Sequence, residues 1–171
     1  MNLGLENKSV FVAASSKGLG KAIALEYARE GANVTIASRD MAQLEAARDE
    51  IASATGHVPH AVLLDVRNAG DIQSAIRSAV DRHGGLDVLV TNAGGPPQGG
   101  FEAFDDADWQ SGFELTLLSV VRLIREALPH LRSAADGGRI VNVASMSVKE
   151  PIPNLILSNV FRAGVNSLAK S

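Results

Sequence analysis

The turn at residues 13–20 combines small side chains, two glycines and one lysine directly after a short apolar run. The run Ser9-Val10-Phe11-Val12-Ala13 predicts a strand, and apolar residues at helical spacing follow between Ala22 and Gly31. A helix that begins in such a turn leaves unpaired backbone N–H groups at its N-terminus, where they suit a pyrophosphate. Gly18 and Gly20 would let a ligand approach the backbone closely. The turn therefore predicts a phosphate-binding site, and a plain strand–helix connection is the alternative.

Few side chains outside this turn have the chemistry of a catalytic group. The chain has no cysteine, and its only tyrosine, Tyr27, lies close after the glycine turn. Ser145 directly follows the fifth apolar run, and Lys149 and Glu150 stand in the loop after it. We expect these groups to reach a site at the end of that run, with a solvated charged pair as the alternative for residues 149 and 150. The four histidines are expected to be solvated and structural, and no metal site is predicted.

Five short apolar runs and the helical segments between them predict the elements that position these groups. The runs are rich in leucine and β-branched residues without strict alternation, which is typical of parallel strands covered on both faces. The predicted strands are 9–13, 33–37, 60–64, 87–91 and 139–144, and the predicted helices are 18–30, 41–54, 69–83 and 106–132. This alternation predicts an α/β fold with a doubly wound parallel sheet (Rossmann fold), which binds its ligand across the carboxyl ends of the strands.

The ordered motifs of the chain resemble the short-chain dehydrogenase/reductase family, in the manner of 3-oxoacyl-ACP reductases. The resemblance is carried by residues 13–20 (Ala-Ala-Ser-Ser-Lys-Gly-Leu-Gly), by Asp65-Val66, by Asn92-Ala93-Gly94-Gly95 and by Gly138-Arg139-Ile140-Val141-Asn142-Val143-Ala144-Ser145. The last two motifs are more diagnostic than the glycine turn, whose usual first glycine is Ala14 here. The resemblance covers the chain from end to end and implies a single dinucleotide-binding domain over residues 1–171.

The resemblance also implies which residues would hold a dinucleotide. Asp65 and Val66 would hold the adenine, and Asn92, Ala93 and Gly94 would back the ribose and the nicotinamide. The turn residues would hold the phosphates; they are Ala14, Ser16, Lys17, Gly18, Leu19 and Gly20.

The end of the second predicted strand bears on which dinucleotide is bound. Sites of this architecture that bind NAD place an acidic residue there, which accepts hydrogen bonds from the ribose hydroxyls. This chain has Ser38 followed by Arg39, and a guanidinium can contact a phosphate in a bidentate manner. With Lys17 as a second cation, these residues predict NADP(H) as the cofactor. The alternative is that both cations are solvated, with Arg39 paired to Asp40.

The expected catalytic residues depart from the family pattern. Members of the family use a tyrosine with a nearby lysine, a serine that polarises the carbonyl, and an asparagine that holds a water. Ser145 matches the serine, whereas the tyrosine position falls on Ser158, the lysine position on Arg162 and the asparagine position on Thr116.

The resemblance therefore implies an atypical member that lacks the active-site tyrosine and lysine. Ser145 would polarise a carbonyl, and Arg162 would anchor the nicotinamide ribose. A water held by Ser158, or else Lys149, would donate the proton. The implied function is an NADP(H)-dependent oxidoreductase that reduces a carbonyl or oxidises an alcohol on a small molecule. The alternative is a non-catalytic dinucleotide-binding sensor or structural protein.

Composition and the apolar residues of the C-terminal segment bear on the location, partners and assembly of the protein. The 171 residues have a net charge of −3 and no basic patch, so we expect no nucleic-acid or membrane partner and a cytoplasmic location. Family members continue past the equivalent of Ser171, so a missing C-terminal helix portion, strands and substrate lid are expected. Apolar residues recur at helical spacing near 106–132 and 155–171 and form an apolar stripe on each segment. These two segments resemble the helices through which family members pair, which implies a homodimer or homotetramer. The alternative is that both apolar stripes are buried within the core of a single chain.

Overall fold

A five-stranded parallel sheet forms the centre of the computed structural model, which describes residues 3–171. The strands are β1 (Ser9–Val12), β2 (Asn33–Ser38), β3 (His60–Leu63), β4 (Val88–Thr91) and β5 (Arg139–Asn142). They lie in the order β3-β2-β1-β4-β5, so the chain reverses its direction of travel across the sheet after β3. This arrangement confirms the predicted α/β fold with a doubly wound parallel sheet.

Six α-helices lie within residues 3–171, and the first, second, third and fifth of them pack against the sheet. They are α1 (Gly18–Arg29), α2 (Met41–Thr55), α3 (Ala69–His83), α4 (Asp106–Phe113), α5 (Ser119–Arg132) and α6 (Ile156–Leu168). The residues of β1 alternate between the two faces, as a strand requires. Phe11 therefore belongs to the apolar cluster beneath α3 and α5, whereas Val10 and Val12 belong to the cluster beneath α1 and α2.

The predicted helix over residues 106–132 is interrupted. A π-helical segment, Glu114–Leu118, separates α4 from α5. Such segments leave the regular hydrogen-bond ladder of an α-helix and are frequent at functional sites. The apolar spacing of this region fits one long helix, so the interruption could not be read from it.

Strand β5 lies at one edge of the sheet formed by residues 3–171. Ile140 and Val141 keep 38% and 41% of their surface exposed there, which leaves the apolar edge open. Among residues 3–171, no helix has both the length and the apolar character needed to cross a membrane.

Candidate active site

A cleft of about 760 Å³ runs along the carboxyl ends of β1, β2, β3 and β4. Its walls are formed by Ala14, Ser16, Lys17, Leu19, Gly20, Ser38, Arg39, Asp40, Gln43, Leu64, Asp65, Val66, Arg67, Asn92, Ala93, Gly94, Gly95 and Leu115. The cleft lies where the strand order reverses, between the β2–β3 side of the sheet and the β4 side. This crevice is where open α/β sheets bind their ligands.

The glycine turn between β1 and α1 is built for close packing. A Cβ on Gly20 would lie 2.4 Å from the Ala14 carbonyl oxygen and 2.8 Å from Asn92 Nδ2, so only glycine fits without a shift of the backbone. Ala14 and Gly18 adopt left-handed backbone angles, with φ of 48° and 57°. Asn92 donates from Nδ2 to the Ala14 carbonyl over 3.1 Å and thereby joins the end of β4 to the turn.

The N-terminus of α1 faces this turn without a side-chain cap. Lys17 occupies the N-cap position and makes no capping hydrogen bond, and the first turn of α1 contains no acidic residue. Ser15 fixes the approach of the chain, because its hydroxyl donates to the Val12 carbonyl and accepts from the Ala37 amide. The backbone N–H groups of the helix start are therefore left for an anion.

The basic end of the cleft lies beside the end of β2. Asp40 does not pair with Arg39, because its carboxylate caps α2 and accepts from the backbone and side-chain amides of Gln43. The side chains of Lys17 and Arg39 are exposed, and neither makes a hydrogen bond or ion pair within residues 3–171. Two cations without an acidic partner in the described part of the chain and the neutral Ser38 thus line the same cleft.

Arg67 was missed in the sequence analysis although it lines the same cleft. Its guanidinium holds the carboxylate of Asp65, with Nη2 3.0 Å from Oδ2. This arginine lowers the pKa of Asp65 below its usual range, and the more distant Arg39 contributes in the same direction. The spacing of an acid and an arginine two residues apart could have drawn attention to the pair. Sequence reasoning also missed the lining residues Asp40, Gln43, Leu64, Gly95 and Leu115.

The five proposed catalytic residues lie outside the walls of this cleft. Helix α6 carries Ser158 and Arg162, which are one turn apart on the same helix. It packs against both the π segment, which contains Thr116, and the 3-10 turn Met146–Val148, which follows Ser145. Four of the five residues are therefore on neighbouring elements, whereas Lys149 is exposed at the end of the 3-10 turn.

Helix α6 is held against α4 by aromatic packing. The ring of Phe161 lies 5.8 Å from that of Trp109 and 6.0 Å from that of Phe113, centroid to centroid. A Cβ on Gly112 would come within 3.0 Å of the Phe161 ring, so the glycine permits this approach. The packing holds the helix that carries Ser158 and Arg162 against α4.

The polar atoms around α6 differ in how far their hydrogen bonds are satisfied. Arg162 donates from Nη1 to the Val143 carbonyl over 3.0 Å, and burial lowers its pKa. Ser145 Oγ accepts from the Ser147 amide over 3.1 Å, which leaves its own hydrogen free to donate. The buried hydroxyl of Thr116 has no hydrogen-bond partner within the described residues.

The other candidate proton donors lie elsewhere. Tyr27 is half-buried on α1 against the cluster beneath α1 and α2, and burial raises the pKa of its phenol. His60 and His83 lie at the amino end of β3 and the end of α3, away from the cleft, and are bonded to Ser78 and Thr35. The expectation that the histidines are structural fits this placement, although these two are half-buried rather than solvated.

The cleft fits the dinucleotide that the resemblance implies. Its walls include a helix start without a side-chain cap, a close-packed turn that a Cβ on Gly20 would fill, and two cations that are unpaired within residues 3–171. Of the residues predicted to hold the cofactor, all line the cleft except Gly18, which is in the turn, and Arg162, which is on α6.

The chain is similar to known proteins in sequence and in structure. The chain is 32% identical over 170 residues to the uncharacterized oxidoreductase YvrD of Bacillus subtilis, covering 99% of this chain and 63% of that protein. It is 34% identical over 161 residues to the ketoacyl reductase HetN of Nostoc, covering 94% of this chain and 55% of that protein. The chain thus spans less than two thirds of the length of these relatives.

The backbone closely matches the L-sorbose reductase of Gluconobacter frateurii, solved in complex with NADPH and L-sorbose. The TM-score is 0.94 at 30% identity, over 99% of this chain and 64% of that one. Residues 8–171 match the family model described as short chain dehydrogenase. With the doubly wound sheet and the glycine turn, this match means that the chain belongs to the short-chain dehydrogenase family.

Proposed function

We propose that the protein is an NADP(H)-dependent oxidoreductase that reduces a carbonyl or oxidises an alcohol on a small molecule. The observation that carries the proposal is the pair of cations that line the cleft, Lys17 and Arg39, neither of which has an acidic partner within residues 3–171. Ser38, in place of an acidic residue at the end of β2, leaves room for a 2′-phosphate and offers no repulsion. The L-sorbose reductase complex with NADPH supports the same choice of cofactor.

Several residues of the cleft would hold this cofactor, each at a different part of the molecule. The amides at the start of α1 would bind the pyrophosphate, and Arg39 with Lys17 would bind the 2′-phosphate. Asp65 and Val66 would contact the adenine, while Asn92, Ala93 and Gly94 would line the path toward the nicotinamide. Bound there, the nicotinamide would supply or accept the hydride.

The residues around α6 would handle the substrate oxygen and its proton. The free hydrogen of Ser145 is available to donate to a carbonyl oxygen. Arg162, held by the Val143 carbonyl, supplies positive charge and does not release a proton near neutral pH. A water held by Ser158 or Thr116 would donate the proton, with Lys149 as the second candidate donor.

A non-catalytic dinucleotide-binding protein, acting as a sensor or structural partner, is the second candidate function. It is favoured by the position of Tyr27, since the only phenol of the sequence is carried by α1 and packs against the apolar cluster beneath α1 and α2. Ser158 and Arg162 stand where the family resemblance calls for a tyrosine and a lysine, and neither can replace the acid–base function of a phenol.

Calorimetric titration with NADPH and NADH, followed by turnover assays with a panel of ketones, tests both candidates. We expect NADPH to bind at least about tenfold more tightly than NADH, and Arg39→Asp to reverse that order. Equal affinities in the unmodified protein would contradict the cofactor assignment. Tight binding without turnover of any ketone or alcohol would favour the non-catalytic function.

We also propose that the protein is cytoplasmic and assembles as a homodimer or homotetramer through helices α4, α5 and α6. The absence of cysteine from the sequence fits a reducing compartment. Val160 keeps 46% of its surface exposed on α6, whereas Leu157, Phe161 and Val165 are buried within the chain. Light scattering at micromolar concentration tests the assembly, and a monomer would contradict it.

A further inference from the structure

Asp65 and Arg67 form a forked ion pair at the adenine end of the cleft. Asp65 Oδ1 accepts from the Arg67 backbone amide over 3.0 Å and from Nε over 3.3 Å, while Oδ2 accepts from Nη2 over 3.0 Å. Such a pair fixes the guanidinium plane and neutralises the carboxylate more effectively than a single contact. It is the one cleft-lining ion pair within residues 3–171.

The loop that carries the pair is anchored from three directions. Arg122 on α5 donates from Nη1 to the Arg67 carbonyl over 2.6 Å. The Asp65 amide donates to Asp71 Oδ2 over 3.1 Å, and the Asn68 amide donates to the Asp65 carbonyl over 2.9 Å. The pair is therefore held in place by its backbone and does not depend on a ligand to order it.

The charge of Asp65 matters because residues proposed to face the 2′-phosphate line the same cleft. Ser38 and Arg39 line the same cleft, and β3 ends beside the end of β2, with Leu63 in register with Ser38. A phosphate monoester carries a charge of about −1.5 to −2 near neutral pH. An unpaired carboxylate at this point would repel a 2′-phosphate, whereas it would affect a ribose hydroxyl much less.

We propose that Arg67 is a specificity-determining residue that favours the 2′-phosphorylated cofactor by neutralising Asp65. The proposal rests on the proposed function, because it assigns a residue to the discrimination between NADPH and NADH. It adds a role that is indirect: Arg67 acts on the phosphate through the charge of Asp65, while Arg39 and Lys17 bind it directly.

The test is a double-mutant cycle read by calorimetric titration with NADPH and NADH at low ionic strength. Arg67→Ala should weaken NADPH binding by roughly threefold to tenfold and change NADH binding by less than about twofold. Asp65→Asn, which keeps an oxygen acceptor for the adenine, should leave the preference for NADPH at least as large as in the unmodified protein. Asp65→Asn combined with Arg67→Ala should recover most of the NADPH affinity lost in Arg67→Ala alone.

Two further measurements make the test specific. The loss in Arg67→Ala should shrink in about 0.5 M salt, where exposed charges are strongly screened. The matched control is Arg48→Ala, which breaks a comparable ion pair with Asp49 on α2 outside the cleft walls and should leave both affinities unchanged. Circular dichroism checks that each variant is folded, and Arg67→Lys should retain part of the preference because it keeps the charge.

The possible results separate the inference from the proposed function. An Arg67→Ala variant with an undiminished preference for NADPH overturns the inference and leaves the proposed function standing. An equal loss in Arg67→Ala and in the double variant also overturns it, because Arg67 would then contact the phosphate directly. No preference for NADPH in the unmodified protein overturns the proposed function, and the inference with it.

Discussion

Arg162 of α6 is tied to the end of β5 by a hydrogen bond from Nη1 to the Val143 carbonyl over 3.0 Å. Val143 stands two residues before Ser145, so this bond links the helix that carries Ser158 to the strand end that carries the candidate carbonyl-polarising serine. The guanidinium is half-buried, and no carboxylate pairs with it within residues 3–171. A positive charge is thus kept beside the candidate reaction centre.

Two replacements of Arg162 should show whether its charge or its shape matters for NADPH binding. Arg162→Lys should keep NADPH affinity within a few-fold because the charge survives, whereas Arg162→Ala should weaken it by about tenfold or more. Calorimetric titration measures both, with Arg125→Ala as the control on an exposed position of α5. An unchanged affinity in Arg162→Ala would remove this residue from the cofactor site.

Ser145 and Ser158 should contribute unequally to turnover. Ser145→Ala should lower kcat/KM by roughly tenfold to a thousandfold on a ketone that the unmodified protein reduces, the range for loss of an oxyanion-type donor. Ser158→Ala should cost much less if an ordered water is the proton donor. Ser133→Ala is the matched control, since that hydroxyl bonds only to Pro129 at the end of α5. Equal losses at residues 145 and 158 would contradict the assigned roles.

The restored family pattern offers a separate test of the altered site. Ser158→Tyr combined with Arg162→Lys should raise carbonyl reduction if the site needs only the missing acid. Steady-state assays with NADPH measure the effect. A loss of activity in this variant would mean that the pocket is shaped for another substrate. Binding of NADPH with no turnover before or after the change would favour the non-catalytic function.

Gly20→Ala should damage the glycine turn directly. Its Cβ would meet the Ala14 carbonyl oxygen at 2.4 Å, and a backbone atom cannot move aside as a flexible side chain can. We expect a loss of about 1–3 kcal/mol in the free energy of unfolding and at least tenfold weaker NADPH binding. Thermal denaturation and titration measure these effects. Gly85→Ala, where the added Cβ has no atom within 4 Å, is the control and should change neither.

Acidification should destabilise the fold through His60 and His83. Burial is the main cause that lowers the pKa of both rings in the folded state, so below about pH 6.5 the unfolded chain binds more protons. Stability should therefore be unaffected by these rings above that pH and fall as the pH drops toward their folded values, by at most about 1.4 kcal/mol per pH unit for each ring.

Denaturant unfolding between pH 7.5 and 5 measures this slope. His60→Gln and His83→Gln should each flatten it, because glutamine can keep a polar contact with Ser78 or Thr35 without titrating in this range. His57→Gln, on an exposed residue, is the control. An unaltered slope in the double variant would show that other groups govern the acid sensitivity.

Much of the fold was predictable because it depends on local patterns. Five apolar runs separated by segments of crossover length allow few arrangements other than a doubly wound parallel sheet. The glycine turn was predictable for the same reason, since a short strand, a turn with Gly18 and Gly20, and an amphipathic helix are adjacent in the sequence. Likewise the order Ser38, Arg39 at the end of a strand can be read without knowledge of distant contacts.

The choice between alternative local partners and local geometries was decided only by the structure. Asp40 has Arg39 beside it and Gln43 three residues on, and the helical geometry of α2 selects Gln43 as its partner. The π segment at Glu114–Leu118 replaced the predicted continuous helix, and apolar spacing is the same in both cases. The forked pair of Asp65 with Arg67 likewise sits on a loop that Asp71 and Arg122 hold by hydrogen bonds.

The sequence by itself determined the class of fold, the glycine turn proposed to bind phosphate and the unusual set of residues at the candidate reaction centre. The tertiary structure decided which of those residues come together: Arg162 reaches Val143 across 19 positions of the chain, and Asn92 reaches Ala14 across 78. The physical reason is that spacing encodes local geometry, whereas long-range hydrogen bonds depend on how packed elements such as α6 and α4 settle against each other.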